Sequence, residues 1–135
     1  MYRAIAVSAS LLFAAACAPV AGEGGSTSYS ERQAQKLAAA LEGMQPGETR
    51  RCIDKVRISR VEGVGGKLLF EQGRDRVYVA DITGCPGASR DDLIVFETLN
   101  GSSYCEKDTV RTVSRSGGML TGSCTLGAFT EYRRP

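Results

Sequence analysis

Four carboxylates lie close together in the chain: Asp91 and Asp92 ahead of one apolar run, Glu106 and Asp108 beyond the next. Clustered acids raise one another's pKa, so such a set can divide acid and base roles in hydrolysis, or hold a hard cation such as calcium. Arg90, Lys107 and Arg111 interleave with them, and aspartate is common at turns because its side chain accepts backbone N–H groups. Turn chemistry and ion pairing are therefore the first expectation for Asp91, Asp92, Glu106 and Asp108, with hydrolysis or cation binding as the alternative. The chain contains no histidine. That removes the common proton shuttle, the Ser-His and Cys-His nucleophile systems and most metal sites. No catalytic residue, metal site or cofactor is expected.

Cysteines are the second chemically capable set. There are five, Cys17, Cys52, Cys85, Cys105 and Cys124. A four-thiolate zinc site normally presents close pairs, and the last four are widely spread, so two disulfides are the better reading. Four cysteines allow three pairings. Local loop closure favours Cys85 with Cys105, and joining the domain's start to its end favours Cys52 with Cys124. Those loops would contribute about 3 and about 4.5 kcal/mol through chain entropy.

These residues must be positioned by short elements. Ser30 and Gln33 have capping-box spacing, and Ala34, Leu37, Ala38 and Leu41 follow at helical intervals until Gly43 and Pro46. This predicts one N-terminal helix with a thin apolar stripe. Residues 56–58, 67–70, 77–82, 93–99, 109–113 and 120–126 are β-branched, leucine and aromatic runs separated by glycine-rich turns. Asn100-Gly101 tolerates the positive φ of a type I′ turn, which predicts a hairpin of 93–99 with 102–107 and sets Leu93 opposite Asp108. That register gathers the four carboxylates at one end. The runs at 77–80 and 93–96 are apolar on both faces, so the expected fold is mainly β: a small antiparallel barrel or sandwich of about six strands with one helix. Arg74-Asp75-Arg76 reads as a charged hairpin tip and Arg133-Arg134 as a solvated tail.

Ahead of the domain, Met1-Tyr2-Arg3, an apolar run at 4–16 and then Cys17 have the pattern of an export signal ending in a lipid-attachment cysteine. As a helix the run would reach roughly 20 Å, short of a hydrocarbon core about 30 Å thick. The expected organisation is a signal peptide at 1–16, a lipid-anchored Gly/Ser-rich tether at 17–29 and a single disulfide-bridged domain at 30–135. Ordinary cleavage with secretion is the alternative. Ala18, rather than aspartate, follows Cys17, which is the pattern of lipoproteins sent to the outer membrane. The expected location is thus the cell envelope, facing the periplasm, or else the periplasm itself. The 17 basic and 15 acidic side chains are spread without a concentrated run, so nucleic acid is not an expected partner.

Cys52-Ile53-Asp54, Gly73-Arg74-Asp75-Arg76-Val77-Tyr78, Cys85-Pro86-Gly87, Tyr104-Cys105-Glu106-Lys107-Asp108 and Gly122-Ser123-Cys124-Thr125-Leu126-Gly127-Ala128-Phe129 follow one another over 51–132. In this order they resemble a family of small, uncharacterised proteobacterial exported, lipoprotein-like proteins classed only as a domain of unknown function. The resemblance implies a compact exported domain with bridged cysteines, and it brings no catalytic residue, ligand or partner. Two functions follow as expectations. One is a non-enzymatic envelope lipoprotein, held at the membrane by its lipid and binding an envelope protein or glycan, with exposed residues near Tyr78, Tyr104, Phe129 and Tyr132 as contacts. The other is a small carboxylate-based hydrolase or cation-binding module in the periplasm.

Overall fold

A computed structural model describes residues 28–135. The expected signal peptide, Cys17 and nearly all of the expected tether lie outside the described residues.

Helix α1 (Tyr29–Ala40) starts on Ser28, two residues earlier than the sequence suggested. The Glu31 N–H donates to Ser28 Oγ at 3.3 Å, and the Ser28 N–H donates to Glu31 Oε2 at 2.7 Å. Both Ser28 and Ser30 can cap. Ser28 prevails because its box places a carboxylate against the positive end of the helix dipole, whereas Ser30 would place neutral Gln33 there. Gln33 crosses to the body instead, where its Oε1 accepts the Gly65 N–H at 3.2 Å.

Nine strands follow: β1 (Gln45–Arg50), β2 (Cys52–Asp54), β3 (Arg60–Val64), β4 (Lys67–Gln72), β5 (Arg76–Thr83), β6 (Leu93–Glu97), β7 (Ser103–Cys105), β8 (Thr109–Val113) and β9 (Leu120–Arg133). All pairings are antiparallel, and the main sheet runs β3-β4-β5-β9-β8-β6. The long β9 lies along β5 on one side. On its other side it pairs first with β8 and then, near its end, with β1. Register shifts between Ala80 and Ile82 and between Thr112 and Val113 add local twist, and the sheet curls into a half-barrel. The expected mainly β fold with one helix is therefore present.

Inside the curl, Leu68, Phe70, Tyr78, Ala80, Ile82, Val110, Leu126 and Phe129 form the core. Phe70 packs on Phe129, Tyr104 and Phe96 with centroids 5.3, 5.3 and 5.8 Å away. On the outside, Val64, Leu69, Val77 and Val79 are covered by Leu37, Leu41 and Met44. This explains how 77–80 can be apolar on both faces. The run at 93–96 does not behave likewise: Ile94 and Phe96 face the core, while Leu93 and Val95 remain exposed.

Three local expectations fail for identifiable reasons. Residues 56–58 are not a strand, because Asp54 Oδ1 accepts the Val56 N–H at 3.0 Å and draws Lys55–Arg57 into a 3₁₀ turn. The chain does reverse at Asn100-Gly101, with the Ser103 N–H on the Asn100 carbonyl at 3.3 Å, but neither residue has a positive φ, so the expected type I′ turn is absent, and its arms part. β6 pairs with β8, and β7 pairs with β2 through Cys52↔Cys105 and Ile53↔Tyr104. The disulfides are accordingly Cys52–Cys105 and Cys85–Cys124, not the favoured pairing. The bridges follow the strand neighbours: Cys52 and Cys105 sit opposite each other in a ladder, and Cys85 faces β9 just before the 3₁₀ turn Pro86–Arg90.

Candidate functional site: the open seam between β3 and β6

The sheet path ends on β3 and β6, and these two end strands do not pair with each other. Between them lies a cleft of ≈ 820 Å³. Arg60, Val61 and Glu62 of β3 form one wall, and Leu93, Ile94 and Phe96 of β6 form the other. Tyr104 lies at the floor, with its ring 4.6 Å from that of Phe96. Lys55 Nζ stands 5.6 Å from the Tyr104 centroid, and burial pushes the Tyr104 phenol above its usual pKa.

One end of the seam is closed by the Pro86–Arg90 turn. A Cβ on Gly63 would stand 2.1 Å from the Ala88 carbonyl oxygen, so only glycine lets the turn lie against β3. A similar constraint holds at Gly87, where an added Cβ would meet Asp92 Oδ2 at 2.2 Å and Thr121 Oγ1 at 2.6 Å. Asp91 ends the turn with φ 69°, a left-handed conformation that aspartate tolerates better than most residues. Its carbonyl accepts from Arg115 Nε at 2.6 Å, and its carboxylate lies 3.6 Å from the same guanidinium.

The rim carries both signs. Arg60 Nη2 pairs with Glu62 Oε2 at 3.1 Å, and Lys36 reaches the same carboxylate from α1. The Arg90 guanidinium makes no ion pair or hydrogen bond with the described residues. Asp92 Oδ2 accepts from the Thr121 hydroxyl at 2.6 Å.

The four carboxylates singled out in the sequence are not one cluster. The ladder sets Leu93 opposite Val113 and Glu97 opposite Thr109. Asp91 and Asp92 therefore lie at one end of β6 and β8, with Glu106 and Asp108 at the other. Asp91 and Asp92 line the seam. Asp108 is buried and accepts the Cys105 N–H at 2.8 Å, closing the turn after β7, and Glu106 pairs with Arg51 at 3.2 Å. Among the described residues no group of three or more Cys, Asp or Glu is arranged to hold a metal ion.

The aromatic contacts are also relocated. Tyr78, Tyr104 and Phe129 are buried in the core, and Tyr132 packs half-buried against the cluster beneath α1. Arg133 is not part of a free tail: it belongs to β9 and pairs with Glu131. Glu131 is itself buried, 2.8 Å from both Arg76 Nε and Arg133 Nη2 and 3.6 Å from Arg50 Nη2. The hydrogen bond from Arg133, aided by the charges of Arg133, Arg76 and Arg50, holds the Glu131 carboxyl below its usual range despite its burial.

Sequence reasoning did not single out Arg60, Glu62 or Arg115. β3 itself was missed, because Glu62 and Gly63 interrupt the apolar pattern that marks the other strands. Comparison with protein-family models, curated proteins and solved structures finds no match. The two disulfides fit an oxidising compartment. Among the described residues no helix is long and apolar enough to cross a membrane.

Proposed function

We propose that this protein is a non-enzymatic binding module of the bacterial cell envelope, anchored through a lipid on Cys17, whose seam takes an extended segment of another polypeptide. The observation that carries this reading is the pair of strand edges, β3 and β6, that have no strand partner among the described residues and face one another across a cleft. Such edges present rows of backbone N–H and C=O groups, and an added strand satisfies them while its alternate side chains fill pockets. The aromatic floor of Phe96 and Tyr104 gives inward-pointing side chains an apolar surface. Lys36, Arg60, Arg90 and Arg115 against Glu62, Asp91 and Asp92 give outward ones a rim of both signs. An incoming strand would also cover the free edge of β6, where Leu93 and Val95 are exposed.

Peptides selected from a displayed random library test this by titration into isotope-labelled protein. Amide shifts and new exchange protection confined to β3, β6 and residues 86–92 are expected. Binding that leaves those amides unmoved, or selected peptides that bind an Arg60→Glu/Arg90→Glu variant equally well, refutes the reading.

A further inference from the structure

A second cleft, of ≈ 510 Å³, lies on the far side of Arg90, between the first turns of α1 and the body of the domain. Its walls are apolar: Ala34 and Leu37 from the helix, Ile82 and Pro86 from the sheet end and the following turn. The polar side chains that reach it from α1 are already engaged. The Tyr29 hydroxyl donates to the Ser89 carbonyl at 3.1 Å, Gln33 Oε1 accepts the Gly65 N–H, and Ser30 Oγ shares a hydrogen bond with Ser28 Oγ. The first two of these bonds tie the start of the helix to the body across the cleft, and no residue of α1 is buried. The cleft therefore presents methyl and methylene groups with few unmet hydrogen-bonding groups. Arg90, at its rim, has a guanidinium with no partner among the described residues.

We infer that this cleft binds the chain of a single-tail fatty acid, with the carboxylate on Arg90. An apolar ligand body suits walls whose polar groups are satisfied, because no donor or acceptor is stranded when water leaves. A carboxylate suits the guanidinium in geometry as well as charge, since the fork presents two parallel N–H groups. The volume falls within the range of small-ligand pockets, about 300 to 1,000 Å³. The apolar walls are separate from the seam, but Ser89 and Arg90 line both clefts, so the chain-length and Ala34→Trp results, which do not involve the seam, are what distinguish this inference from the reading of the seam.

The test is displacement of a fluorescent fatty-acid probe from the purified protein by octanoate, decanoate and dodecanoate, and by dodecanol. Each added methylene should tighten binding about fourfold, the equivalent of ~0.8 kcal/mol of buried CH₂. Arg90→Gln should weaken dodecanoate by about tenfold or more and leave dodecanol unchanged, because only the acid uses the charge. Ala34→Trp, at an exposed helix position where the larger side chain need not disturb the core, should abolish binding of both with the melting temperature preserved. The inference is overturned by affinities that ignore chain length, by equal loss of acid and alcohol in Arg90→Gln, by unaltered binding in Ala34→Trp, or by displacement with an amphipathic peptide when dodecanoate has no effect.

Discussion

Replacing Gly63 with alanine tests the packing that closes the seam. The residue sits in β3 opposite Leu68, and its backbone lies against the Pro86–Arg90 turn. A Cβ there would stand 2.1, 2.4 and 2.9 Å from the carbonyl oxygen, carbonyl carbon and Cβ of Ala88. Ordinary carbon contacts lie at about 3.5–4.0 Å, so the two backbones must part by more than an ångström. Neither is free to do so. β3 is held by its ladder to β4, and the turn is tied to β9 through Cys85–Cys124 and closed by the Asp92 N–H on the Gly87 carbonyl at 3.2 Å. Overpacking of this kind costs about 1–3 kcal/mol. The lower entropy of an unfolded chain with alanine returns about 0.4–1 kcal/mol. The expected net loss is about 1.3 kcal/mol, which lowers the urea midpoint by on the order of 1 M at an unchanged slope. Because Ala88 also lines the seam, peptide affinity should fall in the same variant. A Gly63→Ala protein with an unchanged or higher midpoint would show that the turn does not press on β3 and would refute the reasoning.

Peptide mapping of the unreduced protein should recover Cys52 linked to Cys105 and Cys85 linked to Cys124. Removing either pair as a double serine variant should cost about 4 kcal/mol for loops of 53 and 39 residues, on the order of 15 °C in Tm. Cys52–Cys124 linkage would contradict the β2–β7 pairing. Glu131→Gln should destabilise the fold by about 2 kcal/mol near neutral pH, since it removes hydrogen bonds made to a charged carboxylate. Because the folded pKa of Glu131 is depressed, its contribution is complete above the unfolded value of about 4.3 and disappears as pH falls through the folded value. Urea midpoints measured down that acid range should converge for the two proteins, and a constant gap would place the effect elsewhere. Cys17→Ser should abolish incorporation of labelled palmitate and shift the protein from the membrane fraction to the soluble fraction; palmitate on that variant would contradict the proposed anchor.

Local structure was readable from the sequence wherever one short-range signal dominated. The stripe of Leu37 and Leu41 marked α1, β-branched and apolar runs between glycine-rich turns marked β4, β5, β8 and β9, and Gly73 with Arg74-Asp75-Arg76 marked the turn between β4 and β5. What escaped was partnership. Asn100-Gly101 specifies a reversal of the chain and nothing about which strands receive its arms. Burial of Ile53 and Tyr104 carries β7 to β2, leaving β8 to pair with β6. The cysteine pairing was lost for the same reason, since each bridge follows contacts made by non-neighbouring strands. Tyr78, Tyr104 and Phe129, near which contacts were expected, lie inside because a curled sheet has a concave face for them to fill, a feature set by register shifts in β5, β8 and β9. The seam exists only through the order of the strands, and its lining residues carry no shared motif.

The central claim, that the gap between β3 and β6 receives another polypeptide, is tested most directly by a photo-crosslinking amino acid introduced at single positions in living cells. Placed at Glu62, on the wall of the seam, it should yield one discrete adduct whose crosslinked peptide maps to an extended segment of a second protein. Placed at exposed Leu99, away from the seam, it should yield none. Matching adducts from both positions, or irradiation at 62 that captures nothing, would contradict the account.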